Sequence, residues 1–418
     1  MLLERTFGSN KKVIDEVLPT NRLLKIPMYL SCLVGIWPII LVENPHLRRL
    51  YDIFAAILYY YYLEYIFRAY YQITVLLRAD NLNVEEILGN VCITLIYTVS
   101  MFRLKAFSSD EVKALFNTVI ETENDISKNP DDKIRKLYDL FVKSTTIYNI
   151  LFCFNGWVVS FLYFIHPFLI ELPEVTVNNK TITLRVLPLS TWWPFDIQEH
   201  YWFAYCWNIF DGTLGSSIVI NSDMLTFSLI VFALSQLHIL DYKVEQFGKN
   251  ISKNLSEKEK ELIERNEFIE LVKEHQKLIS YVDTFNKSMK YVMLFDFLQC
   301  SVQMATITLQ LLVMEINVQN IIFVGEFLLT MLIRLVIYYF NANEIIYQSQ
   351  KLAITAWKAN WCDSSKDVKH MFMFFIARCQ RPIRLQIGPF AIMSLETFIT
   401  ILKATYSYMM LFINTSDE

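Results

Sequence analysis

IGPFAIMSLETFITILKATYSYMMLFI, residues 387–413, is the stretch on which the reading of the fold turns. It exceeds the roughly 20 apolar residues that a helix needs to cross a bilayer. At helical spacing Ser394, Thr397, Thr400, Ala404, Ser407, Leu411 and Asn414 fall along one stripe, while Phe390, Phe398, Ile399, Leu402 and Met409 lie largely elsewhere. A small, polar stripe on a membrane-length helix can border water in a pore, or it can let a neighbouring helix pack closely. Periodicity alone leaves both open.

Working outward, apolar runs of similar length recur at 50–77, 86–104, 137–165, 201–240, 291–314 and 321–340, which predicts seven spans and an all-α membrane protein. The composition agrees: 54% hydrophobic and 19% charged residues, with a mean hydropathy of +0.31, are too apolar for one soluble domain. Basic residues are scattered through loops in a chain of net charge −4, which excludes a nucleic-acid partner. The polar start, 1–25, lacks the apolar core of a signal peptide and is expected to be retained. The seven cysteines show no metal-site spacing and no pair in one outer loop, so neither a metal, another cofactor nor a disulfide is expected. No nucleophile, general-base or phosphate-loop pattern occurs, which argues against an enzyme.

Between the spans several features stand out. Pro27 and Pro38 break 26–42 into a short interfacial or re-entrant piece. Glu64 and Arg68, four apart, should neutralise each other, and Arg334 should pair with Glu326 or Asp296. The fourth span looks interrupted at Asp211-Gly212, Gly215 and Asp223. VTVNNKTITLRV, within the polar loop 166–200, alternates as a hairpin with Asn178-Asn179 at the turn, and Asn179 opens a glycosylation sequon. The segments 241–290 and 341–386 are charged and amphipathic, as solvated, packed helices are.

Sidedness follows from the positive charges. Of the 38 lysines and arginines, 32 fall on the side of the N-terminus when the spans alternate, Arg103 among them. That side is therefore cytoplasmic, and an odd number of spans puts the C-terminus outside. A G-protein-coupled receptor has the opposite orientation, and its tyrosine and Asp-Arg-Tyr motifs are missing at the corresponding places. The expected division is an N-terminal segment 1–49, helices with an outer loop over 50–240, a connector and two helices over 241–340, a cytoplasmic anchor over 341–386, and a last helix and tail over 387–418.

ANEIIYQSQKLAITAWKANW at 342–361, LPLSTWWPFD at 187–196 and SLETFITILKATYSYMMLF at 394–412, in this order and on this topology, resemble an insect odorant receptor. Thr405-Tyr406 is not followed by the Gln-Phe typical of the sister gustatory receptors. The moderate connector and the ending NTSDE make the chain similar to an odour-tuning subunit and unlike the olfactory coreceptor (Orco). The resemblance implies a heterotetramer with Orco, embedded in membrane lipid, that acts as an odour-gated, non-selective cation channel in the dendrites of olfactory sensory neurons. The second reading is a seven-helix chemoreceptor that signals through a cytoplasmic partner without conducting ions.

The resemblance further implies that the last span lines the pore with Ser394, Thr397, Thr400, Ala404 and Ser407. Leu411 then aligns with the apolar constriction, and Thr415 stands one turn beyond it as a hydrophilic departure. A small volatile should bind among the outer halves of four spans. The candidates are Leu88, Val91, Cys92 and Leu95 on the second, and Phe152, Gly156, Trp157 and Ser160 on the third. Tyr205, Asn208, Ile209 and Gly212 follow on the fourth, with Ile321, Val324, Gly325 and Leu328 on the sixth. Trp157 and Tyr205 offer rigid aromatic surfaces with a polar handle, while Gly156 and Gly212 should make room.

Overall fold

The structure, a computed structural model, describes residues 22–36, 45–79, 83–169, 174–177, 180–249, 256–313 and 318–416. A short helix α1 (Lys25–Leu33) precedes α2 (Pro45–Leu76), α3 (Val84–Phe107), α4 (Asp110–Ser127) and α5 (Asp132–Leu169). The hairpin β1 (Glu174–Val177) and β2 (Lys180–Thr183) leads to α6 (Tyr201–Gln246), α7 (Glu257–Val313), α8 (Val318–Lys358) and α9 (Lys366–Cys379). A two-residue pair, β3 (Gln386–Ile387) with β4 (Ala391–Ile392), introduces α10 (Leu395–Ser416). Among the described residues, α3, α5, α6, α7 and α8 are long and apolar enough to cross a membrane. Helices α2 and α10, of 32 and 22 residues, complete the seven spans, α2 being made less apolar by Tyr59, Tyr60, Tyr61 and Tyr62.

The bundle is arranged around α6, which packs on α1, α2, α3, α5, α7 and α8. From Ile220 to Leu234 every residue of α6 is buried, including Asn221, Ser222, Asp223, Thr226 and Ser228. Side-chain hydroxyls make this possible in an apolar surrounding by bonding back to their own helix: Thr226 to Ser222 O and Ser228 to Met224 O, both at 2.9 Å. The interruption expected at Asp211, Gly212, Gly215 and Asp223 does not occur, because each glycine receives a neighbouring ring and each aspartate meets an arginine. Short α1 docks on this central helix, where Asn221 Nδ2 donates to Ser31 Oγ at 2.7 Å.

Helix α7 holds 57 residues, roughly 85 Å at 1.5 Å per residue, far more than the ~30 Å hydrocarbon core. It contains neither glycine nor proline, so the charged connector continues into the fifth span without a break. Helix α8 likewise unites the sixth span with the first part of the amphipathic segment after it. At the far end of both, Phe247, Phe268 and Phe372 form an aromatic core with Trp361, which lies nearly parallel to Phe372 at 5.7 Å.

Three details were not legible beforehand. The segment between the second and third spans, read only for its charge, folds as α4, capped by Ser109 and burying Val112, Leu115, Phe116, Val119 and Ile120 at helical spacing. The apolar segment 387–413 is not helical from its start: Gly388 adopts φ +59° between β3 and β4, and its N–H donates to Lys290 O at 2.8 Å. Arg103, counted among the cytoplasmic positives, lies inside α3 and is 1% exposed. The expected hairpin is present, with Val177 opposite Lys180, whereas Asn178 and Asn179 lie outside the described residues.

Candidate functional site

Between α3, α5, α6, α7 and α8 lies a cavity of about 130 Å3, close to the engineered apolar cavity on the order of 150 Å3 that holds a benzene. Helix α3 gives it Ile93, Ile96, Tyr97, Ser100 and Arg103, one face at three- and four-residue spacing. From α5 come Phe152, Gly156, Val159, Ser160, Tyr163 and Phe164. Gly212, Ser216, Val219, Ile220 and Asp223 continue the wall on α6, and α8 adds Phe327, Thr330, Met331 and Arg334. Gln299 and Gln303 of α7 close one side, and Leu189 of the loop before α6 closes one end.

That end is a lid held by polar contacts. Asn208 Oδ1 accepts Leu189 N–H at 2.7 Å and its amide donates back to Leu189 O at 3.2 Å, while Asn90 donates to Ser190 O at 2.6 Å. Trp193 of the same loop stacks on Arg68, whose guanidinium meets Glu64 and Asp211, each at 2.5 Å. The expected Glu64–Arg68 pair therefore forms and gains a second acid.

The opposite end is ionic. Arg103 bonds Asp223 and Asp296, and Arg334 bonds the same two acids, reaching Asp223 Oδ2 at 2.9 Å. Two cations and two anions from α3, α6, α7 and α8 thus balance in a buried site. Tyr338 adds an O–H donor to Asp223 Oδ1 at 3.0 Å, and Arg334 Nη1 lies 3.0 Å from Cys300 Sγ. Of the partners expected for Arg334, Asp296 is one, whereas Glu326 instead accepts from Asn155 at 2.5 Å.

Of the candidates named from the sequence, Phe152, Gly156, Ser160 and Gly212 line this cavity. The space beside the two glycines is occupied: a Cβ on Gly156 would stand 2.6 Å from Ile220 Cδ1, and one on Gly212 would stand 2.6 Å from Phe164 Cε1. Leu88, Val91 and Leu95 are half-buried elsewhere on α3, and Cys92 turns to Thr306 of α7 at 2.6 Å. Trp157 lies on the outer side of α5, 38% exposed. Tyr205 donates to Phe164 O at 2.8 Å beyond the cavity, Asn208 serves the lid, and Ile209 is half-buried beside it. On α8, Ile321 is exposed, Val324 belongs to the core, Leu328 packs against that core, and a Cβ on Gly325 would meet nothing within 4 Å. The lining residues missed in the sequence, Tyr97, Ser100 and Arg103 above all, share a spacing visible there, but Arg103, at the end of its span, counts there as a cytoplasmic positive.

On α10, Ile401 and Thr405 are buried, whereas Thr400, Lys403, Tyr406 and Ser407 are exposed. Thr400 and Ser407 bond back to Glu396 O and Lys403 O at 2.9 Å, Ala404 is half-buried, and Thr397 reaches Ile392 O at 2.6 Å. Ser394 precedes the helix, and its Oγ accepts Thr397 N–H at 3.4 Å. The helix backbone continues past Leu411 and Thr415, but their side chains lie outside the described residues.

The profile of the family described as 7tm Odorant receptor matches residues 83–406 of this chain. The chain belongs to that family. Members of this odorant receptor family are chemoreceptors and not enzymes, and this receptor is a membrane protein. It is 27% identical to odorant receptor 10 of Aedes albopictus over 181 residues, 43% of this chain and 47% of that one. With odorant receptor 30a of Drosophila melanogaster it shares 26% over 230 residues, 54% and 58% of the two chains. The aligned region thus spans about half the length of these curated relatives. The fold is similar to that of the insect olfactory receptor OR5 from Machilis hrabei, solved in complex with eugenol, with a TM-score of 0.73 at 14% identity over 96% of this chain and 100% of that one.

Proposed function

We propose that this receptor is the odour-tuning subunit of a ligand-gated, non-selective cation channel formed with the olfactory coreceptor as a heterotetramer. The observation that carries this reading is the largely apolar cavity among five spans, of a size to take one small volatile molecule. Binding there is coupled through α8 and α7 to α10, which packs on both. The exposed hydroxyls of Thr400 and Ser407 suit a pore lining that solvates a passing cation without holding it, with Thr397 and Ala404 nearby and Leu411 as the constriction. Whether Thr415 shares in that seal is decided by the partner subunits around it.

In this reading the N-terminus, the long inner ends of α7 and α8, and α9 are cytoplasmic, and the anchor 341–386 is where subunits meet. The C-terminus and the loop 166–200, with the sequon at Asn179, face outward, and the protein sits in the plasma membrane of sensory dendrites. A tag after Glu418 should then be labelled on intact cells. Cells co-expressing the coreceptor should give odour-evoked inward current that persists when G-protein signalling is blocked. Labelling only after permeabilisation would contradict the orientation, and loss of current under the block would contradict direct gating.

A further inference from the structure

We propose that the ionic end of the cavity reads a neutral hydrogen-bond acceptor on the ligand through Arg103 Nε, so that this receptor selects small apolar molecules carrying a carbonyl oxygen over hydrocarbons of the same shape. The inference rests on the reading of the cavity as the odorant site. Arg103 lines the cavity, is 1% exposed, and commits its two terminal nitrogens to Asp223 and Asp296. Its Nε–H is buried without any acceptor. A guanidinium stays protonated, so this donor is permanent, and a buried donor on a charged group is among the most unfavourable to leave unpaired.

Several of the neighbouring polar groups are already engaged. Ser160 and Ser216 donate to Gly156 O and Gly212 O, Thr330 donates to Asn155 Oδ1, and Gln299 donates to Gln303. Arg103 Nε is thus a charged donor left to meet an incoming group. The acceptor is neutral because the two arginines are already balanced by two aspartates, and a carboxylate would add an uncompensated charge to a buried site. Its remaining bulk is apolar because Ile93, Ile96, Val159 and Phe327 form the walls.

The test uses the full receptor co-expressed with the coreceptor and a panel of paired volatiles, each methyl ketone matched to the alkene in which C=CH2 replaces C=O, at measured aqueous concentrations. A charge-assisted hydrogen bond of ordinary net strength corresponds to roughly ten- to hundredfold in half-maximal concentration, in favour of the ketone. Arg103→Lys keeps the positive charge and removes the Nε donor, and should reduce that ratio to about threefold or less. If Arg103→Lys does not reach the surface, Arg103→Met with Asp296→Asn carries the same measurement, since it removes one charge of each sign and leaves the Arg334–Asp223 pair. Equal potency of ketone and alkene on the unmodified receptor overturns the proposal, with a water molecule then satisfying Nε. A ratio unchanged in either variant also overturns it, since the acceptor would be read elsewhere. Absence of any current to the whole panel, with both subunits labelled at the surface, contradicts the odour-gated reading itself.

Discussion

Arg334→Met should remove most of the receptor from the cell surface. Arg334 is a fully engaged member of the four-charge cluster, and its loss leaves Asp223 and Asp296 facing a single cation, Arg103, in a buried part of the bundle. Removing one partner of a buried ion pair destabilises by about 3–5 kcal/mol, a large share of the ~5–15 kcal/mol that holds an ordinary fold together. The same step in a membrane interior leaves no bulk solvent to rescue the charge. Adding Asp296→Asn restores neutrality and keeps the Arg103–Asp223 pair, so the double variant should recover surface labelling that the single variant loses. Equal surface levels of Arg334→Met and the unmodified receptor would show that the cluster contributes little to folding.

Gly215→Val should be the second severe change, and for a steric reason. A Cβ at this position would lie 2.1 Å from Cε2 and Cζ of Tyr97 and 2.3 Å from its hydroxyl oxygen. Tyr97 is held on the side away from the cavity: its ring stacks on Tyr62 at 5.5 Å and abuts Tyr65 at 4.9 Å, and both are buried. Overpacking of this kind costs about 1–3 kcal/mol. Because Tyr97 also lines the cavity, the response to odorants should fall along with the unfolding temperature of the purified receptor. Gly325→Ala on α8 is the control, since a Cβ there meets no atom within 4 Å, and helix propensity alone predicts a neutral or slightly stabilising change of up to about 1 kcal/mol.

Much of the fold could be read from the chain because bilayer-length apolar runs and the imbalance of charge are strong, additive signals. The continuity of α7 and α8 could also have been read, from the absence of proline in either helix, yet the change from apolar to charged sequence near Lys290 looked like a boundary. Composition marks where lipid ends, and a helix ends only where its backbone bonding fails. The cavity was less legible. The sequence suggests partners for Arg68 and Arg334, but Asp211 and Asp223 look like breaks and Arg103 like one more cytoplasmic positive at the end of a span, whereas each is neutralised by a residue 120 or more positions away. Local spacing cannot reveal such pairs, because only the packing of α3, α6, α7 and α8 brings them together. Trp157 shows the complementary difficulty: an aromatic with a polar handle suits a pocket, but only the rotation of α5 decides that Phe152 and Gly156 turn inward while Trp157 faces out. On α10 the small polar stripe is exposed at Thr400 and Ser407 and half-buried at Ser394, Thr397 and Ala404, while Ile401 and Thr405 are buried.

The central claim is that a volatile seated between Phe152, Gly156 and Gly212 opens a conducting assembly that contains this chain. Outside-out patches carrying the receptor and the coreceptor test it most directly, with Gly156→Leu compared at matched surface levels. The account predicts odour-evoked openings in the excised patch, and at least a tenfold rightward shift of the concentration–response curve in Gly156→Leu, whose side chain displaces Ile220 into the cavity. Openings with an unshifted curve would place the ligand elsewhere, and silence of the unmodified receptor in the patch would contradict direct gating.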